Sequence, residues 1–352
     1  MIAQIGPHRV RVRGRTVTDG GMLWLASSLS EAAFRVTGAR RLEIALRADD
    51  SVSDPNRAHL TPRYEVLLDG KTAEDRRMQA EEETVAVFSS DQPRDAVVRF
   101  RKLSECTQSL LAIREIRTDG KTEPLPEQGM RVEFIGDSMT CGYGVEAKDA
   151  LEGFSTATEN AGKSYAGLLA EEMGLDAMLT CFSGHGIVSG YTADPEKRNA
   201  QELVPPYYRS AGRNGFRLPS GRKLEDIPWD FSAWQPEKIL INLGTNDLSW
   251  CGDREERRLL YRREYAKFLA AVREKNPGAA ILCVLGFMGT GLNSILELAV
   301  EDYRAESGDS RVYVRTLRDQ DGARCGYGAD YHPSARSQRE LAATVREWLE
   351  KI

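Results

Sequence analysis

The chain has 352 residues, of which 41% are hydrophobic and 29% are charged, and its formal net charge is -5 at pH 7. This length favours two domains over a single core, and the composition is typical of a globular protein rather than a disordered or fibrous one. The weak negative charge gives no basic surface for nucleic acid or an anionic membrane, and no apolar run has transmembrane length. We therefore expect neither a nucleic-acid partner nor a membrane partner.

Residues 1–120 are predicted to form an all-β domain. Apolar residues alternate with polar or small ones along 42–46 and 64–68, and residues 96–101 form another short β-type run. Polar turns separate these runs, and short strands at this spacing predict a β-sandwich or jelly roll. Trp24 and Phe34 are interpreted as core residues rather than sugar contacts.

The two ends of this domain carry further signals. The first seven residues lack the basic start and apolar core of a signal peptide, so we expect a cytoplasmic location, or a secreted one if a leader has been removed. A run rich in Pro, Gly and charge after Thr118 predicts a linker, placed at 121–129, and a second domain at 130–352.

In the second domain, strands alternate with helices, which predicts a parallel sheet covered by helices on both faces. Strands are predicted at Arg131–Ile135, Ala177–Cys181, Lys238–Asn242, Ile281–Leu285 and Val312–Val314, and helices at Ser164–Met173, from a capping box at Asp253 to Asn276, and at Ser334–Lys351. The intervening segment 185–235 is irregular, and segments of that length are usually functional.

Six cysteines are scattered through the chain without a Cys-x-x-Cys pair. This pattern argues against a zinc site and against a disulfide framework. We therefore interpret them as small core residues and expect no bound metal.

Polar residues suited to ester hydrolysis stand at the ends of successive predicted strands, where open α/β sheets keep their ligands. Ser138 follows the first strand after a turn at Gly136, either as a nucleophile or only as the N-cap of the next helix. Gly184 follows the second strand, Asn246 follows the third, and His332 precedes the last helix. A serine nucleophile needs a base and donors for an oxyanion, which a histidine, the backbone at a glycine and an asparagine amide supply.

Several neighbouring residues allow more than one interpretation. Gly142–Ala147 resembles a dinucleotide fingerprint, but it does not open directly from the strand, so a nucleotide site is not favoured. His185 could line the site, and it is the second choice as base after His332. Trp250 could stack on a sugar ring or pack in the core. Asp247 is expected to brace its own loop.

Four motifs occur in this chain order: Gly136-Asp137-Ser138, Gly184, Gly244-Thr245-Asn246-Asp247 and Asp330-x-His332-Pro333-Ser334. Together they resemble the signature blocks of the SGNH (GDSL-type) hydrolases. The N-terminal region resembles carbohydrate esterase family 2, in which a jelly-roll domain precedes an SGNH domain, at Gly14-Arg15, Trp24, Ser27-Ser28, Leu42–Leu46, Val66–Gly70 and Lys102-Leu103-Ser104-Glu105.

The resemblance implies a flavodoxin-like SGNH domain that removes O-acetyl groups from a sugar or oligosaccharide through an acyl-enzyme, without a cofactor. Ser138 is then the nucleophile and His332 the base. The oxyanion donors are the backbone N–H groups of Ser138 and Gly184 and the side chain of Asn246. The substrate is expected to contact Trp250 and His185.

The acid of the triad is the point where the chain departs from the common pattern. SGNH enzymes commonly place it three residues before the histidine, where this chain has Ala329. Asp330, two residues before His332, resembles the family 2 variant. Because alternate residues of an extended segment share a face, we expect Asp330 to complete the triad, with a Ser–His dyad as the alternative.

Two other functions remain open from the sequence. A lipase, thioesterase or acyltransferase could use the same residues, and a catalytically silent carbohydrate-binding protein could retain the fold. The presence of all four motifs argues against the silent protein. The sequence leaves open the sugar, the acetyl position and the oligomeric state.

Overall fold

The computed structural model describes residues 2–3 and 9–352, and the strands of these residues form two sheets. The N-terminal sheet is antiparallel and the C-terminal sheet is parallel, which confirms the predicted change from all-β to α/β. The antiparallel sheet contains β1 (Ile2–Ala3), β2 (Arg11–Arg13), β3 (Thr16–Asp19), β4 (Met22–Leu25), β5 (Glu31–Ala48), β6 (Arg63–Leu68), β7 (Lys71–Arg77), β8 (Glu82–Lys102), β9 (Leu111–Thr118) and β10 (Lys121–Pro124).

Two long strands, β5 and β8, bend the antiparallel sheet. They pair along most of their length, but the register shifts between Val36 and Ala39 and again between Leu42 and Glu43. Such bulges bend a strand and increase its twist. As a result, the first half of β5 also pairs with β2 and β10, and its second half pairs with β9.

The predicted linker is only partly a connection. Its first four residues form β10, which pairs with Phe34–Thr37 of β5. Composition does not reveal this strand, because it lies at a sheet edge with mostly exposed polar side chains. Pro124 ends it, so residues 125–130 connect the two sheets.

The parallel sheet has the strand order β12-β11-β13-β14-β15. This is the flavodoxin-like order, whose topological switch point lies between the first and third strands, β11 and β13. All five predicted strands are present, as β11 (Arg131–Gly136), β12 (Asp176–Cys181), β13 (Lys238–Asn242), β14 (Ala280–Leu285) and β15 (Val312–Thr316).

Seven α-helices accompany the parallel sheet within the described residues, and none of these helices has the length and apolar character needed to cross a membrane. The predicted helices correspond to α2, α4 and α7. The full set is α1 (Ser138–Cys141), α2 (Tyr165–Glu172), α3 (Thr245–Cys251), α4 (Glu255–Lys275), α5 (Asn293–Ser307), α6 (Gly322–Cys325) and α7 (Ala335–Leu349).

The start of α4 differs from the prediction. Arg254 is its N-cap residue and makes no side-chain cap, so the capping box at Asp253 is wrong. Asp253 instead forms an ion pair with Arg258 at 2.5 Å. The predicted apolar stripe of α4 is confirmed, since its buried residues are Tyr261, Tyr265, Phe268, Leu269 and Val272.

One hydrophobic core connects the two sheets. It joins Trp24 and Leu110 of the antiparallel region to Ile135 and Ile239 of the parallel sheet. Between them lie apolar residues of the irregular segment 185–235, including Ile187, Val204, Leu218 and Leu224. Trp24 and Phe34 are 1% and 0% exposed, which confirms their interpretation as core residues.

A buried ion pair also joins the two sheets. Arg15 Nη2 lies 3.1 Å from Glu133 Oε1, and the side chains are 1% and 0% exposed. Arg15 donates two further hydrogen bonds to the carbonyls of Tyr208 and Ser210, both at 2.6 Å. Glu133 also accepts from the hydroxyls of Thr180 and Tyr208. The two charges are therefore paired and hydrogen-bonded inside the protein, as buried charges must be.

Candidate active site

Ser138 lies just beyond the carboxyl end of β11, as the first residue of α1. The N-cap of α1 is Asp137, whose carboxylate accepts the N–H of Met139 at 3.1 Å, so capping does not occupy the Ser138 hydroxyl. A Cβ on Gly136 would lie 2.1 Å from Thr140 Oγ1. Only glycine therefore allows α1 to fold back so closely onto the end of the strand.

His332 stands opposite this serine. Its Nε2 lies 2.9 Å from Ser138 Oγ, and its Nδ1 lies 3.1 Å from the backbone carbonyl of Ala329. A carbonyl only accepts, so Nδ1 carries the proton and Nε2 is free to accept the proton of the serine hydroxyl. This is the arrangement that a general base and its nucleophile require.

The structure contradicts the prediction that Asp330 orients His332. The Asp330 carboxylate accepts the hydroxyl of Tyr143 at 2.7 Å, while a carbonyl occupies the histidine Nδ1. The prediction assumed an extended segment, whereas residues 329–331 form a 3-10 turn in which Asp330 and Tyr331 have φ of 49° and 62°. The Asp330 carboxylate is therefore bonded to Tyr143, and the carbonyl of Ala329 takes the position that a triad acid needs.

The surroundings of His332 keep its ring neutral. Burial lowers the pKa of His332 below its ordinary value, whereas the carbonyls of Ala329 and Asp330 and the charge of the Asp330 carboxylate act in the opposite direction. Asp330 thus influences the charge of the base without a direct bond to its Nδ1. A neutral ring at pH 7 is the form that can act as a general base.

The predicted oxyanion donors surround the same serine. Gly184 follows β12 in a turn with φ of 76°, and Asn246 lies in the first turn of α3, after β13. Both line the cavity that contains Ser138 and His332. In the part of the chain that the structure describes, the backbone N–H groups of Ser138 and Gly184 donate to no protein atom. They are therefore available to a developing oxyanion.

The amide of Asn246 has two acceptors in the protein. Its Nδ2 donates to the carbonyl of His185 at 2.9 Å and lies 3.3 Å from Asp137 Oδ2. Both N–H groups of the amide therefore have protein acceptors, and the longer bond, to Asp137, is the one that an oxyanion would replace. Burial raises the pKa of Asp137 to about 7, so this carboxyl carries only part of a negative charge beside the site.

Residues 134–352 match the model of the GDSL-like Lipase/Acylhydrolase family, and this span contains Ser138, Gly184, Asn246 and His332. The chain belongs to this GDSL-like family. The predicted resemblance to SGNH (GDSL-type) hydrolases is confirmed, and the four motif residues meet at one end of the parallel sheet.

Relatives of this GDSL-family chain include carbohydrate esterases. Cellulase/esterase CelE of Acetivibrio thermocellus is 34% identical over 218 residues, which are 60% of this chain and 24% of CelE, so the chain spans only about a quarter of that relative. An acetylxylan esterase / glucomannan deacetylase of Cellvibrio japonicus is 25% identical over 357 residues, covering 99% of this chain and 91% of that protein.

A similar solved structure covers both sheets. It is a family two carbohydrate esterase from Clostridium thermocellum in complex with cellohexaose, with a TM-score of 0.79 and 26% identity. The comparison covers 97% of this chain and 100% of that one. The similarity therefore extends beyond the GDSL-family region to the antiparallel sheet.

His185 does not contact the cavity of the GDSL-family site, contrary to its predicted role at the substrate. Its side chain is 2% exposed, with Nδ1 2.8 Å from the carbonyl of Ser183 and Nε2 against the guanidinium of Arg213. Burial lowers its pKa to about 4, so the ring is neutral. Its contribution is the backbone carbonyl that holds Asn246, and the ring cannot replace His332 as base.

Trp250 is not among the residues that line the cavity, so the structure does not bring its predicted sugar contact together with Ser138 and His332. Its ring is partly buried against the core, and the Cζ atoms of Arg198 and Arg257 lie 5.5 and 4.6 Å from the ring centroid. The cavity, of about 570 Å³, is lined by other residues, among them Tyr143, Tyr191, Leu248, Ser249 and Met288. Tyr191, which the sequence analysis missed, is 59% exposed and offers the aromatic surface there.

Tyr143 is a second residue that the sequence analysis missed. Its ring stacks on His332 with centroids 4.1 Å apart, and on its other face it stacks on Phe154 at the same distance. Burial raises the pKa of Tyr143 above its ordinary value, so the hydroxyl stays protonated and donates to Asp330. Tyr143 thereby fixes the plane of the imidazole.

The glycines around Tyr143 explain the apparent dinucleotide fingerprint. A Cβ on Gly142 would lie 2.2 Å from the carbonyl oxygen of Asn160, and one on Gly144 would lie 2.3 Å from the Cβ of Ala329. Both also have positive φ, of 74° and 54°. Gly144 is required for close packing against the turn that carries His332, and Gly142 for close packing against Asn160, so no nucleotide is needed to account for them.

Asp247 braces a loop other than its own. Its carboxylate accepts the N–H groups of Ile187, Val188 and Ser189 at 3.0, 2.6 and 3.0 Å. Burial raises its pKa to about 6, and these three donors act in the opposite direction. Asp247 thus connects α3, which carries Asn246, to the segment that follows Gly184.

Proposed function

We propose that this protein is a serine carbohydrate esterase that removes O-acetyl groups from saccharides through an acyl-enzyme. The observation that carries the proposal is the 2.9 Å contact between Ser138 Oγ and His332 Nε2, in a cavity that also presents Gly184 and Asn246. The names of the relatives, acetylxylan esterase / glucomannan deacetylase and cellulase/esterase, support an acetylated carbohydrate as substrate.

The mechanism begins with attack of Ser138 Oγ on the acetyl carbonyl carbon, as its proton moves to His332 Nε2. The imidazolium is stabilised at Nδ1 by the carbonyl of Ala329. The negative oxygen of the tetrahedral intermediate accepts the N–H groups of Ser138, Gly184 and Asn246. His332 then protonates the departing sugar oxygen, which leaves an acetyl-serine.

Hydrolysis of the acetyl-serine reverses the same proton movements. His332, neutral again, removes a proton from a water molecule that attacks the acyl carbon. The second tetrahedral intermediate uses the same donors, and its collapse returns the proton to Ser138 Oγ and releases acetate. Water is the only reactant besides the ester that these steps consume.

We infer that the saccharide lies against the rim of the cavity, where Tyr191 offers a flat aromatic surface. Aromatic rings present an apolar face with a polar edge, which suits a sugar ring. The proposal includes a jelly-roll form for the antiparallel domain, with which the long bent strands β5 and β8 are consistent.

The test is the release of acetate from defined acetylated oligosaccharides, together with p-nitrophenyl esters of increasing acyl length. We expect acetyl esters to be preferred and a fluorophosphonate to label Ser138. Ser138→Ala should lower kcat by roughly 10⁴-fold or more, as loss of the nucleophile does in a serine protease. The exposed Ser232→Ala is the matched control and should retain full activity.

Each result has a counterpart that would contradict the proposal. Full turnover in Ser138→Ala, or no labelling of Ser138, would exclude this mechanism. A preference for long acyl chains over acetyl would indicate a lipase or thioesterase on the same residues. Saccharide binding without any acetate release would indicate a binding protein.

A further inference from the structure

The segment from Lys102 to Glu105, at the end of β8, enters the interior beside the candidate active site. Its four side chains are at most 1% exposed. Lys102 donates its ammonium to the carbonyl of Ser104, and Ser104 Oγ accepts the N–H of Arg63. A lysine and a glutamate buried this completely are uncommon unless both are paired, so the segment requires a structural or functional reason.

Glu105 connects this segment to the active site. Its Oε2 accepts the backbone N–H of Ser183 at 2.9 Å and the hydroxyl of Thr107 at 2.5 Å. Its Oε1 lies 3.4 Å from Gln108 Nε2. Ser183 immediately precedes Gly184, although it is 78 residues from Glu105 in the chain. A carboxylate from the antiparallel domain therefore holds the peptide group next to a proposed oxyanion donor.

The remaining hydrogen bonds of this turn show what the carboxylate achieves. The N–H of His185 donates to the carbonyl of Phe182 at 3.2 Å, and the carbonyl of Gly184 accepts the N–H of Tyr191 at 2.8 Å. With Ser183 held by Glu105, Gly184 keeps the only N–H of residues 183–185 that has no protein acceptor among the described residues. Fixing the neighbouring peptide groups therefore determines where that N–H points.

Two further buried side chains, Cys141 and Glu159, lie beside Glu105. Ligand atoms of Glu105, Cys141 and Glu159 lie within 4.8 Å of one another. Burial raises the pKa of both the Cys141 thiol and the Glu159 carboxyl well above their ordinary values, so both remain protonated. Glu159 Oε1 accepts the N–H of Glu105 at 3.3 Å.

We propose that Glu105 is a positioning residue of the oxyanion hole, because its carboxylate holds Ser183 so that the N–H of Gly184 points at the acyl oxygen. The antiparallel domain thereby takes part in catalysis as well as in the fold. This inference rests on the proposed function, since it adds a residue to the same site. Because Glu105 Oε2 accepts the main-chain N–H of Ser183, the positioning role requires an acceptor oxygen at the place of Oε2.

The experiment compares Glu105→Ala, Glu105→Gln and the control Thr107→Val in the full chain. Kinetics on p-nitrophenyl acetate are expressed per active site, after complete titration with a fluorophosphonate, so that unfolded protein does not count. Inhibition by a trifluoromethyl ketone, which forms a tetrahedral adduct with serine, reports the oxyanion hole directly. Thermal melting is measured for every variant.

Glu105→Ala should lower kcat roughly 10- to 100-fold, less than removal of a whole oxyanion donor, with KM changed about threefold or less. The inhibition constant of the ketone should rise by the same factor as kcat falls. Glu105→Gln keeps an acceptor for Ser183 and should stay within about threefold of the wild-type kcat. Thr107→Val removes another hydrogen bond to the same carboxylate and should leave kcat unchanged.

Several results would overturn the inference. One is a wild-type kcat per active site in Glu105→Ala, and another is an equal loss of kcat in Glu105→Gln and Glu105→Ala. A third is a lower melting temperature with an unchanged inhibition constant of the ketone. If Glu105→Ala does not fold, Glu105→Asp retains the charge but draws the carboxylate back from Ser183. It should lower kcat about tenfold, and a wild-type kcat there would overturn the inference. Absence of esterase activity in the wild-type protein would instead contradict the proposed function.

Discussion

At the scale of single residues, the orientation of His332 depends on a main-chain carbonyl. The carbonyl of Ala329 holds Nδ1, and the Asp330 carboxylate is bonded to Tyr143. A carbonyl fixes the tautomer as a carboxylate does, but it brings no full negative charge to the imidazolium. The base should therefore depend much less on Asp330 than the base of a protease triad depends on its aspartate.

Asp330→Asn should consequently lower kcat by about tenfold or less, because the dyad retains its nucleophile, its base and the carbonyl that orients the base. Loss of a directly bonded triad aspartate costs roughly 10⁴-fold in a serine protease. The measurement is kcat on an acetyl ester at a pH where His332 is neutral. Tyr143→Phe keeps the stacked ring and is the matched control, with a similarly small loss. A roughly 10⁴-fold loss of kcat in Asp330→Asn would instead indicate that Asp330 acts as the acid of a triad.

The pH dependence of kcat/KM should show an acid limb below the ordinary histidine value of about 6.5. Burial lowers the pKa of His332, so the ring loses its proton, and activity rises to its plateau, at lower pH than for an exposed histidine. The negative charge of Asp330 favours the protonated ring, so Asp330→Asn should shift the limb further down in pH. A pH–rate profile of both proteins checks this, and a limb that moves upward in the variant would contradict it.

Sequence motifs predicted Ser138, Gly184, Asn246 and His332 correctly as neighbours, because each follows a strand or precedes a helix whose position the apolar pattern indicates. The direction of Asp330 was not predictable in the same way. It depends on positive φ at two successive residues that are not glycine, and no residue type announces such a turn. The sequence therefore located the site but not its hydrogen bonds.

At the scale of secondary structure, most of the elements that the sequence predicts correctly are those with a strong apolar pattern. The strands of the parallel sheet are nearly continuous apolar runs, and all were found. The sequence analysis missed α5, although Leu296, Ala299, Val300 and Tyr303 form a helical stripe. It also missed the short helix α3 and the polar edge strand β10, whose stabilisation comes from tertiary contacts rather than from a local pattern.

The segment after β12 places Tyr191, rather than Trp250, at the cavity. Tyr191→Ala should lower kcat/KM for acetylated oligosaccharides about three- to tenfold, the scale of one aromatic contact, and should affect p-nitrophenyl acetate less. Trp250→Ala should lower the melting temperature and affect both substrates equally, since that ring packs beside two arginines. Steady-state kinetics on both substrates check this. A sugar-specific loss in Trp250→Ala alone would reverse the assignment.

At the scale of the whole molecule, the two sheets share a core and a buried ion pair. Arg15→Met leaves Glu133 as an uncompensated buried charge, so it should lower the free energy of unfolding by about 3–5 kcal/mol. Arg209→Met breaks an exposed pair with Glu274 and is the control, with a change of about 1 kcal/mol or less. Urea unfolding followed by fluorescence and circular dichroism measures both variants.

The same shared core predicts one cooperative transition for the whole chain, with coincident fluorescence and circular dichroism curves. Two separate transitions, or a small effect of Arg15→Met, would show that the sheets unfold independently. Composition and length suggested two domains, but they could not reveal that Trp24 shares a buried core with residues of the other domain.

That shared core has a consequence for biosynthesis. Trp24 and Leu110 share one buried core with Ile187, Val204 and Leu224, which follow the entire antiparallel sheet in the chain. On the ribosome, the sheet therefore emerges before the residues that complete this core, with an apolar surface open to chaperones or to other nascent chains. A chimaera that exchanges this sheet with that of a relative should also exchange residues 187–224, because the apolar side chains of the two parts pack in one core.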